Sequence, residues 1–497
     1  MFYFKYINLL GNYRKSLNFI GNIESIFIIF KKRMNIRKIN SSFHVKFRTD
    51  RDSLGEVQIP ADAYYGAFTA RAIKQYHVTG HLTHSYLIMA FVMIKRSAAV
   101  ANMKTKALGS KKGNAIVKAC DIILSGKHLD QFVVEEINSG AGTAFNMNIN
   151  EVIANISLEI LGETKGNYEI IHPNHHVNMS QSSNDTFPTA MHVSILFNIN
   201  QVVPEIDELI KILTKKAKEF SSYKKIGRTH LMDALPVSLG SEFAAYATAV
   251  AKARDAIVTA KKELEFVALG GTAVGTGANT PRGYRNNVIS ELARITKLPL
   301  KPQHDMQYSL QSKFAVANLS STLRNLAVEL GRISNDIRLM ASGPVAGLSE
   351  IGIPAVHAGS SIMPGKVNPS LAECMNMICF SIIGNDSTVA LAAQAGQFEL
   401  NVMLPVMLKS VLDSTDMLRN FVPIYSHNLI DGLSANKDKL RQYIENSPVI
   451  VTLLSPKLGY QTSAELYKES LKTGKTIKQL VLSKELMSEK EVNSLLG

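Results

Sequence analysis

The sequence predicts a mainly α-helical fold whose longest helices lie beyond residue 200. Apolar residues recur at three- and four-residue spacing from Ile206 to Phe220, which is the stripe of an amphipathic helix, and Pro204 stands where such a helix can begin. Residues 238–268 hold almost no helix breakers. Apolar residues recur at helical spacing over residues 312–341, and Gly343-Pro344 then ends the pattern. A helix of about thirty residues is about 45 Å long.

Helices of this length carry apolar side chains on more than one face. A single chain covers such helices poorly, so the pattern predicts burial against partner subunits. The chain has 497 residues, of which 46% are hydrophobic, which is enough for a large core and for two or three domains. These observations exclude a disordered or fibrous chain.

The cysteine count favours a reducing compartment. Cys120, Cys374 and Cys379 are odd in number and have no framework spacing, so we expect helix-packing residues and a cytoplasmic protein.

Charge is concentrated at the amino terminus. The net charge is +14, and residues 1–50 hold ten Lys/Arg against Glu24 and Asp50. This basic extension fits either an early start codon upstream of Met34 or a mitochondrial transit peptide. Its longest apolar run, Ile26–Phe30, is too short to span a bilayer, and the rest of the chain has no basic, aromatic-interleaved segment of the kind that binds nucleic acid.

The segment from Gly359 to Pro369 packs two hydroxyls, a lysine and an amide into a glycine-bounded loop. Such donors suit a carboxylate or a phosphate. A phosphate-binding P-loop has four residues between its glycines and a Ser or Thr after the lysine, whereas here five intervene and Val367 follows. The glycine-rich residues 270–277 lack the third glycine of a dinucleotide fingerprint. We therefore do not expect a nucleotide.

This loop resembles the signature of the aspartase/fumarase superfamily, Gly-Ser-Ser-x-x-Pro-x-Lys-x-Asn, at every fixed position from Gly359 to Asn368. Residues 178–185, 227–230 and 342–344 resemble further family segments, and the resemblance extends from about Asp52 to Gly497. The chain is identified as a member on these residues.

The resemblance implies a three-domain, mainly α fold with a long central helical bundle that assembles into a homotetramer. We expect an N-terminal extension over residues 1–50, an N-terminal domain over 51–180, a central domain over 181–438 and a small C-terminal domain over 439–497. In this family each active site collects residues from three subunits.

The resemblance also assigns roles in an elimination from a dicarboxylate. Ser360 resembles the general base, acting as an alkoxide, and His230 resembles the active-site histidine that Glu373 orients. One substrate carboxylate would meet Lys366, Asn368 and Thr229. The other carboxylate, whose charge grows in the aci-carboxylate intermediate, would meet Thr143, Ser182 and Ser183, while Asn184 would contact the leaving group. No organic cofactor is implied, and no ligand set predicts the divalent cation that activates some members.

Each residue type also has a structural explanation. Ser182, Ser183 and Asn184 are typical of a helix N-cap, Thr143 suits a turn, and a lone histidine is often only packed. The cluster His172–His176 lacks the cysteine or carboxylate that would indicate zinc. His175 stands where the second, non-catalytic dicarboxylate site of fumarases has an aspartate, which argues against that site here.

The leaving group is either ammonia, from aspartate, or water, from malate. Ala141-Gly142-Thr143 and residues 396–403 resemble aspartases, whereas Ser182-Ser183-Asn184 follows fumarases. The balance favours aspartate, with a class II fumarase as the alternative and a non-catalytic structural relative as a third possibility.

Overall fold

The computed structural model describes residues 46–359 and 362–496. Its sixteen α-helices are α1 Ala67–Gln75, α2 Ser85–Lys104, α3 Ser110–Leu124, α4 Thr143–Ile160, α5 Ser183–Glu219, α6 Leu239–Ala260, α7 Tyr284–Thr296, α8 Met306–Gln311, α9 Phe314–Met340, α10 Ser370–Gln394, α11 Leu404–Ile424, α12 Lys437–Asn446, α13 Ser455–Leu458, α14 Tyr460–Thr473, α15 Ile477–Ser483 and α16 Glu489–Leu496. The predicted mainly α fold is confirmed.

The strands of the described residues are short and form four two-stranded sheets. They are β1 Phe47–Asp52 with β2 Gly55–Pro60, β3 Lys224–Thr229 with β4 Met232–Ser238, β5 Phe266–Val267 with β6 Lys301–Pro302, and β7 Ile351–Gly352 with β8 Ser434–Ala435. Single-turn helices at Leu129–Gln131, Pro173–Val177, Lys261–Glu265, Tyr425–Ile430 and Pro448–Leu453 complete the elements.

The chain divides into two compact units. The smaller comprises residues 1–48 and 60–62, and in its described part the Ala61 N–H donates to the Lys46 carbonyl at 2.8 Å. The larger comprises residues 49–59 and 63–497. Most of the predicted basic extension lies outside the described residues, so its nature stays a prediction.

Five long helices form a closed bundle at the centre of the larger unit. Helix α5 packs on α6, α6 on α9, α9 on α10, α10 on α11, and α11 returns to α5. Their facing side chains form one continuous apolar core with those of α2 and α4. The predicted helix over 312–341 is confirmed almost residue for residue by α9.

The start of α5 differs from the prediction at Pro204. The helix begins at Ser183 and runs through Pro188 and Pro204 to Glu219. An internal proline costs a helix about 3 kcal/mol. Here the buried apolar residues on both sides of Pro204, such as Val202 and Ile206, hold the two halves in one bundle position and offset that cost.

The last fifty residues have their own small core. Ile450, Leu454, Leu466 and Leu480 pack together with other apolar side chains of the same segment and with Ile226. The domain boundaries at residues 180 and 438 stay a prediction.

Two helices are long and apolar enough to cross a membrane by composition alone, α2 and α10. Helix α2 is a core helix with 67% of its apolar window buried, whereas only 28% of the corresponding window of α10 is buried. Met377, Phe380 and Leu391 of α10 are exposed. One face of α10 is therefore apolar and uncovered by the described residues.

Candidate active site

Two helix N-termini converge on a pair of hydroxyls. Thr143 is the first residue of α4 and Ser183 is the first residue of α5, and their hydroxyl oxygens lie 3.0 Å apart. The single Thr143 proton goes to the nearer acceptor, the Gly140 carbonyl, at 2.6 Å. The first turns of both helices carry the positive ends of the helix dipoles, although the N–H groups of Thr143 and Asn184 already have partners in a turn and a cap. A carboxylate is the natural ligand of such a place.

An aromatic cluster fixes the approach of these helices. Phe91 of α2 packs edge-on against Phe145 of α4 and Phe187 of α5, with ring centroids 5.2 and 5.7 Å away. Gly142, with a φ of +77°, caps α4, and a Cβ there would lie 2.0 Å from the Phe187 ring. Only glycine fits this position, so Gly142 allows Thr143 to come so close to Ser183.

Ser182 is the N-cap of α5, as its structural explanation proposed. Its hydroxyl accepts the Asn184 N–H at 3.2 Å, and Asp185 Oδ1 accepts the Ser182 N–H at 2.9 Å, which completes a capping box. Because the Ser182 oxygen is an acceptor in this cap, its proton is still available to a ligand. Capping and ligand binding are compatible here.

The buried Asp185 carboxylate also holds the glycine-rich segment at residues 270–277. Its second oxygen accepts the backbone N–H groups of Gly270 at 3.0 Å and Thr272 at 2.9 Å. Burial raises the pKa of Asp185 to about 6, although these N–H donors oppose the rise. The glycine-rich segment therefore shapes the site.

That segment orients Asn184. The Asn184 Nδ2 group donates to the Ala273 carbonyl at 2.8 Å, and a carbonyl can only accept. The amide oxygen Oδ1 therefore points away from Ala273, and no donor to it occurs among the described residues. Asn184 offers an acceptor to a ligand.

The hydroxyl pair opens into a cavity of about 830 Å³. Thr143, Asn146, Gln181, Ser182 and Ser183 line one side of it. Asn146 Nδ2 donates to Ser183 Oγ at 3.3 Å. Because the Thr143 proton goes to Gly140, the Ser183 proton can go either to Thr143 Oγ1 or to a ligand in the cavity.

Sequence reasoning missed the polar side chains beneath these hydroxyls. Lys95 is fully buried in α2, and its ammonium donates to Asn146, Asn178 and Gln181. The available signal was a single lysine inside the apolar run of α2, at a spacing that places it on the core face.

Thr229 and His230 lie at an exposed hairpin tip. Thr229 ends β3 and pairs with Met232 of β4, so His230 and Leu231 form a two-residue turn, with φ of 59° and 60°. Both residues therefore adopt the left-handed region, which glycine and asparagine normally supply in such turns. The turn holds the His230 side chain outward at a cost in backbone strain.

A buried ion pair anchors this hairpin. Arg228 Nη1 lies 2.7 Å from Glu350 Oε1, and Lys225 Nζ lies 2.6 Å from Glu350 Oε2. Glu350 is fully buried and precedes the strand β7 that leads toward the signature loop. The hairpin and the loop segment thus share one rigid anchor.

The signature loop is closed on itself. Asn368 Nδ2 donates to the Gly359 carbonyl at 2.6 Å, and a Cβ on Gly359 would lie 1.8 Å from the Lys366 carbonyl oxygen. Lys366 is exposed and Asn368 is half-buried. Ser360, the predicted base, lies outside the described residues.

The predicted site residues form three separate groups. Thr143, Ser182, Ser183 and Asn184 lie at the convergence of α4 and α5, Thr229 and His230 at the hairpin, and Lys366 and Asn368 at the loop. Glu373 is half-buried in the first turn of α10. Among the described residues, no hydrogen bond or ion pair joins His230 to Glu373 or links the three groups. Their roles stay predictions.

Metal ligands are not clustered in the part of the chain that the structure describes, since no group of three or more His, Cys, Asp or Glu there could hold a metal ion. In the His172–His176 segment, His172 stacks on His175 with ring centroids 4.2 Å apart. Burial lowers the pKa of His176 to about 4, so this histidine is neutral at neutral pH.

The chain matches known families over most of its length. Residues 55–384 match the family described as Lyase, and residues 450–497 match the family described as Fumarase C C-terminus.

Curated relatives carry two names. The aspartate ammonia-lyase of Bacillus subtilis is 44% identical over 91% of this chain and 95% of its own length. The class II fumarate hydratase of Thermosynechococcus vestitus is 42% identical over 87% of this chain and 93% of its own length.

Solved structures agree on the fold. A fumarate lyase/delta crystallin from Brucella melitensis, bound to cobalt, superposes with a TM-score of 0.88 at 41% identity and covers 91% of this chain and 98% of its own. A class II fumarase from Schistosoma mansoni has a TM-score of 0.87 at 35% identity, with the same coverage.

The strained turn yields a prediction at Leu231, whose side chain is 73% exposed. We expect Leu231→Gly to be more stable than Leu231→Ala by about 1 kcal/mol, because only glycine adopts the left-handed region without strain. Urea unfolding of both variants measures the difference. At a turn with ordinary φ the order reverses, since glycine then loses more entropy on folding, and that order would contradict the strain.

Proposed function

This chain belongs to the lyase family that includes aspartate ammonia-lyases and class II fumarate hydratases, and from this premise we propose that it is an aspartate ammonia-lyase. In this proposal it eliminates ammonia from L-aspartate reversibly to give fumarate. It acts as a carbon–nitrogen lyase without an organic cofactor.

The orientation of Asn184 meets a requirement of aspartate, and the similarity to aspartate ammonia-lyases carries the choice over malate, whose hydroxyl can also donate to an acceptor. The ammonium group of aspartate carries only N–H donors, so it needs an acceptor. The Asn184 amide donates to Ala273 and keeps its oxygen free, which supplies that acceptor. The 44% identity to aspartate ammonia-lyase supports the same assignment.

The hydroxyl pair suits the intermediate of this reaction. Removing a proton next to a carboxylate builds a second negative charge on that carboxylate, and stabilising such charge takes several preorganised donors. The Ser183 proton, the Ser182 proton and two helix N-termini are donors or positive ends of this kind. Ser360 acts as the base in this proposal, while Lys366, Asn368 and Thr229 bind the other carboxylate.

We propose further that the enzyme is a homotetramer with shared active sites. The uncovered apolar face of α10, with Met377, Phe380 and Leu391, suits a second copy of the chain. Shared sites also account for the separation of the hydroxyl pair, the hairpin and the signature loop within one subunit. In such a site His230 and its orienting Glu373 need not belong to the same subunit.

A class II fumarate hydratase is the second candidate. The sequence Ser182-Ser183-Asn184 and the 42% identity to a fumarate hydratase favour it. Malate differs from aspartate only in its leaving group, so the same base and carboxylate ligands serve both reactions.

The first prediction separates these candidates. Purified protein offered L-aspartate should release fumarate, followed by ultraviolet absorbance, with an equal amount of ammonia, and should release little from L-malate. Ser360→Ala should lower turnover by about 100-fold or more, because a general base contributes that much. Fumarate from malate alone would indicate a fumarate hydratase, and no product from either would indicate a structural relative.

The second prediction concerns the leaving group. Asn184→Ala should lower kcat/KM for aspartate by about tenfold or more, because a hydrogen bond to a charged group is lost. Fumarate has no amino group, so its Kd, measured by calorimetry in the absence of ammonia, should change by less than about threefold. Equal losses for both ligands would show that Asn184 only supports the fold of the site.

The third prediction tests shared sites. Ser183→Ala and His230→Ala should each be nearly inactive, whereas their co-expression should restore activity. If the two residues come from different subunits, random mixing leaves about one site in four with both native residues. Recovery near a quarter of wild-type activity is therefore expected. No recovery, with both variants still tetrameric by mass measurement, would place the two residues in one subunit.

A further inference from the structure

Lys95 is buried, and no carboxylate among the described residues forms an ion pair with it. Its side chain is 0% exposed, and its ammonium donates to Asn146 Oδ1 at 2.7 Å, to Asn178 Oδ1 at 2.7 Å and to Gln181 Oε1 at 3.0 Å. These three acceptors use all three ammonium protons. A charge in such a place is costly, and a neutral side chain would remove that cost, so its presence needs a functional explanation.

The three acceptors belong to the wall of the candidate site. Asn146 lies in the first turn of α4, one position after Phe145, and Asn178 and Gln181 precede the start of α5. All three line the cavity that Thr143 and Ser183 also line. Lys95 itself lies behind this wall, so it acts on a ligand only through its neighbours.

The lysine decides which way the Asn146 amide points. Because Asn146 Oδ1 accepts from the ammonium, Nδ2 must face the other way, and it donates to Ser183 Oγ at 3.3 Å. Ser183 is then an acceptor toward Asn146, so Asn146 does not compete with a ligand in the cavity for the Ser183 proton. Reversing the amide would place Oδ1 against Ser183 and take up that proton.

We propose that Lys95 is a positioning residue of the carboxylate site, which orients Asn146 so that Ser183 keeps its proton for the substrate and which places a positive charge beneath that carboxylate. The proposal rests on the proposed function in one respect, namely that the ligand is a dicarboxylate. It applies equally to aspartate and to malate.

The acidity of the lysine agrees with this role. Burial lowers the pKa of Lys95 to about 7, although the negative charge of Asp185 opposes the shift. The titratable groups that face it are Asp185, whose pKa burial raises to about 6, and Cys120, whose pKa burial raises far above neutrality. As the pH rises through 7 the ammonium loses its charge, so the affinity for a dianion should fall in this range.

The test measures fumarate binding by calorimetry in the complete chain. Lys95→Met should weaken fumarate binding by about tenfold or more and remove the loss of affinity above pH 7, because both the charge and the Asn146 orientation are lost. Lys313→Met is the matched control. Lys313 is a second buried lysine with a pKa lowered to about 7 by burial, but it donates to the Ser309 carbonyl, and neither residue lines the cavity. This control should leave the fumarate Kd unchanged.

A double-mutant cycle separates positioning from a merely structural role. Because Lys95 acts partly through Ser183 and partly through its charge, Lys95→Met should weaken fumarate binding at least about threefold less when Ser183→Ala is already present than in the native chain. The same loss in both backgrounds would overturn the proposal. So would an unchanged Kd with only a lower Tm, which is the result expected of a purely structural lysine.

Asn146→Asp keeps the test available if Lys95→Met does not fold. This variant retains a partner for the lysine but removes the Nδ2 donor and offers an acceptor for the Ser183 proton. Fumarate affinity should fall about tenfold at an unchanged Tm. An unchanged affinity would overturn the proposal. Because fumarate binding needs no turnover, the role of Lys95 is decided even if aspartate proves not to be the substrate.

Discussion

The buried carboxylate of Asp185 is the contact on which the candidate site depends. It accepts N–H groups from Ser182, Gly270 and Thr272 at 2.9 to 3.0 Å. One side chain therefore sets the first residue of the longest helix and the path of the glycine-rich segment. The start of the helix sets the position of Ser183. The path of the glycine-rich segment sets the orientation of Asn184, which donates to the Ala273 carbonyl. Without this carboxylate, nothing would hold the Ser183 hydroxyl and the Asn184 amide in fixed positions relative to each other.

The ends of the long helices, more than their middles, contribute to the candidate site. An α-helix leaves its first N–H groups unpaired, so a fold of long helices concentrates positive polarity at a few places. Phe91, Phe145 and Phe187 bring two of these ends together, and Gly142 removes the side chain that would keep them apart. Lys95 adds a full charge behind the same wall. A carboxylate whose charge grows during reaction is the ligand that this arrangement suits.

The remaining site residues lie on separate, exposed elements of one subunit, as the proposed shared sites require. His230 lies on a strained hairpin that Glu350 anchors through Arg228, and Lys366 lies on a loop that Asn368 closes through Gly359. Both groups are thus anchored and exposed, and the uncovered apolar face of α10 is the surface on which the proposed tetramer would place a second copy.

The sequence by itself determined the features that depend on neighbouring residues. Helical period predicted α9, and the spacing of fixed residues in the loop at Gly359–Asn368 identified the family, because both are local properties of the chain. The prediction that α5 begins at Pro204 was wrong, because core packing outweighed the preference of proline for the first turn of a helix. Only the tertiary structure decided the orientation of Asn184 and the surroundings of Lys95. Asn184 and Ala273 lie 89 residues apart, and Lys95 and Gln181 lie 86 apart. Hydrogen bonds across such separations form only once the helices have packed, so local sequence patterns cannot predict them.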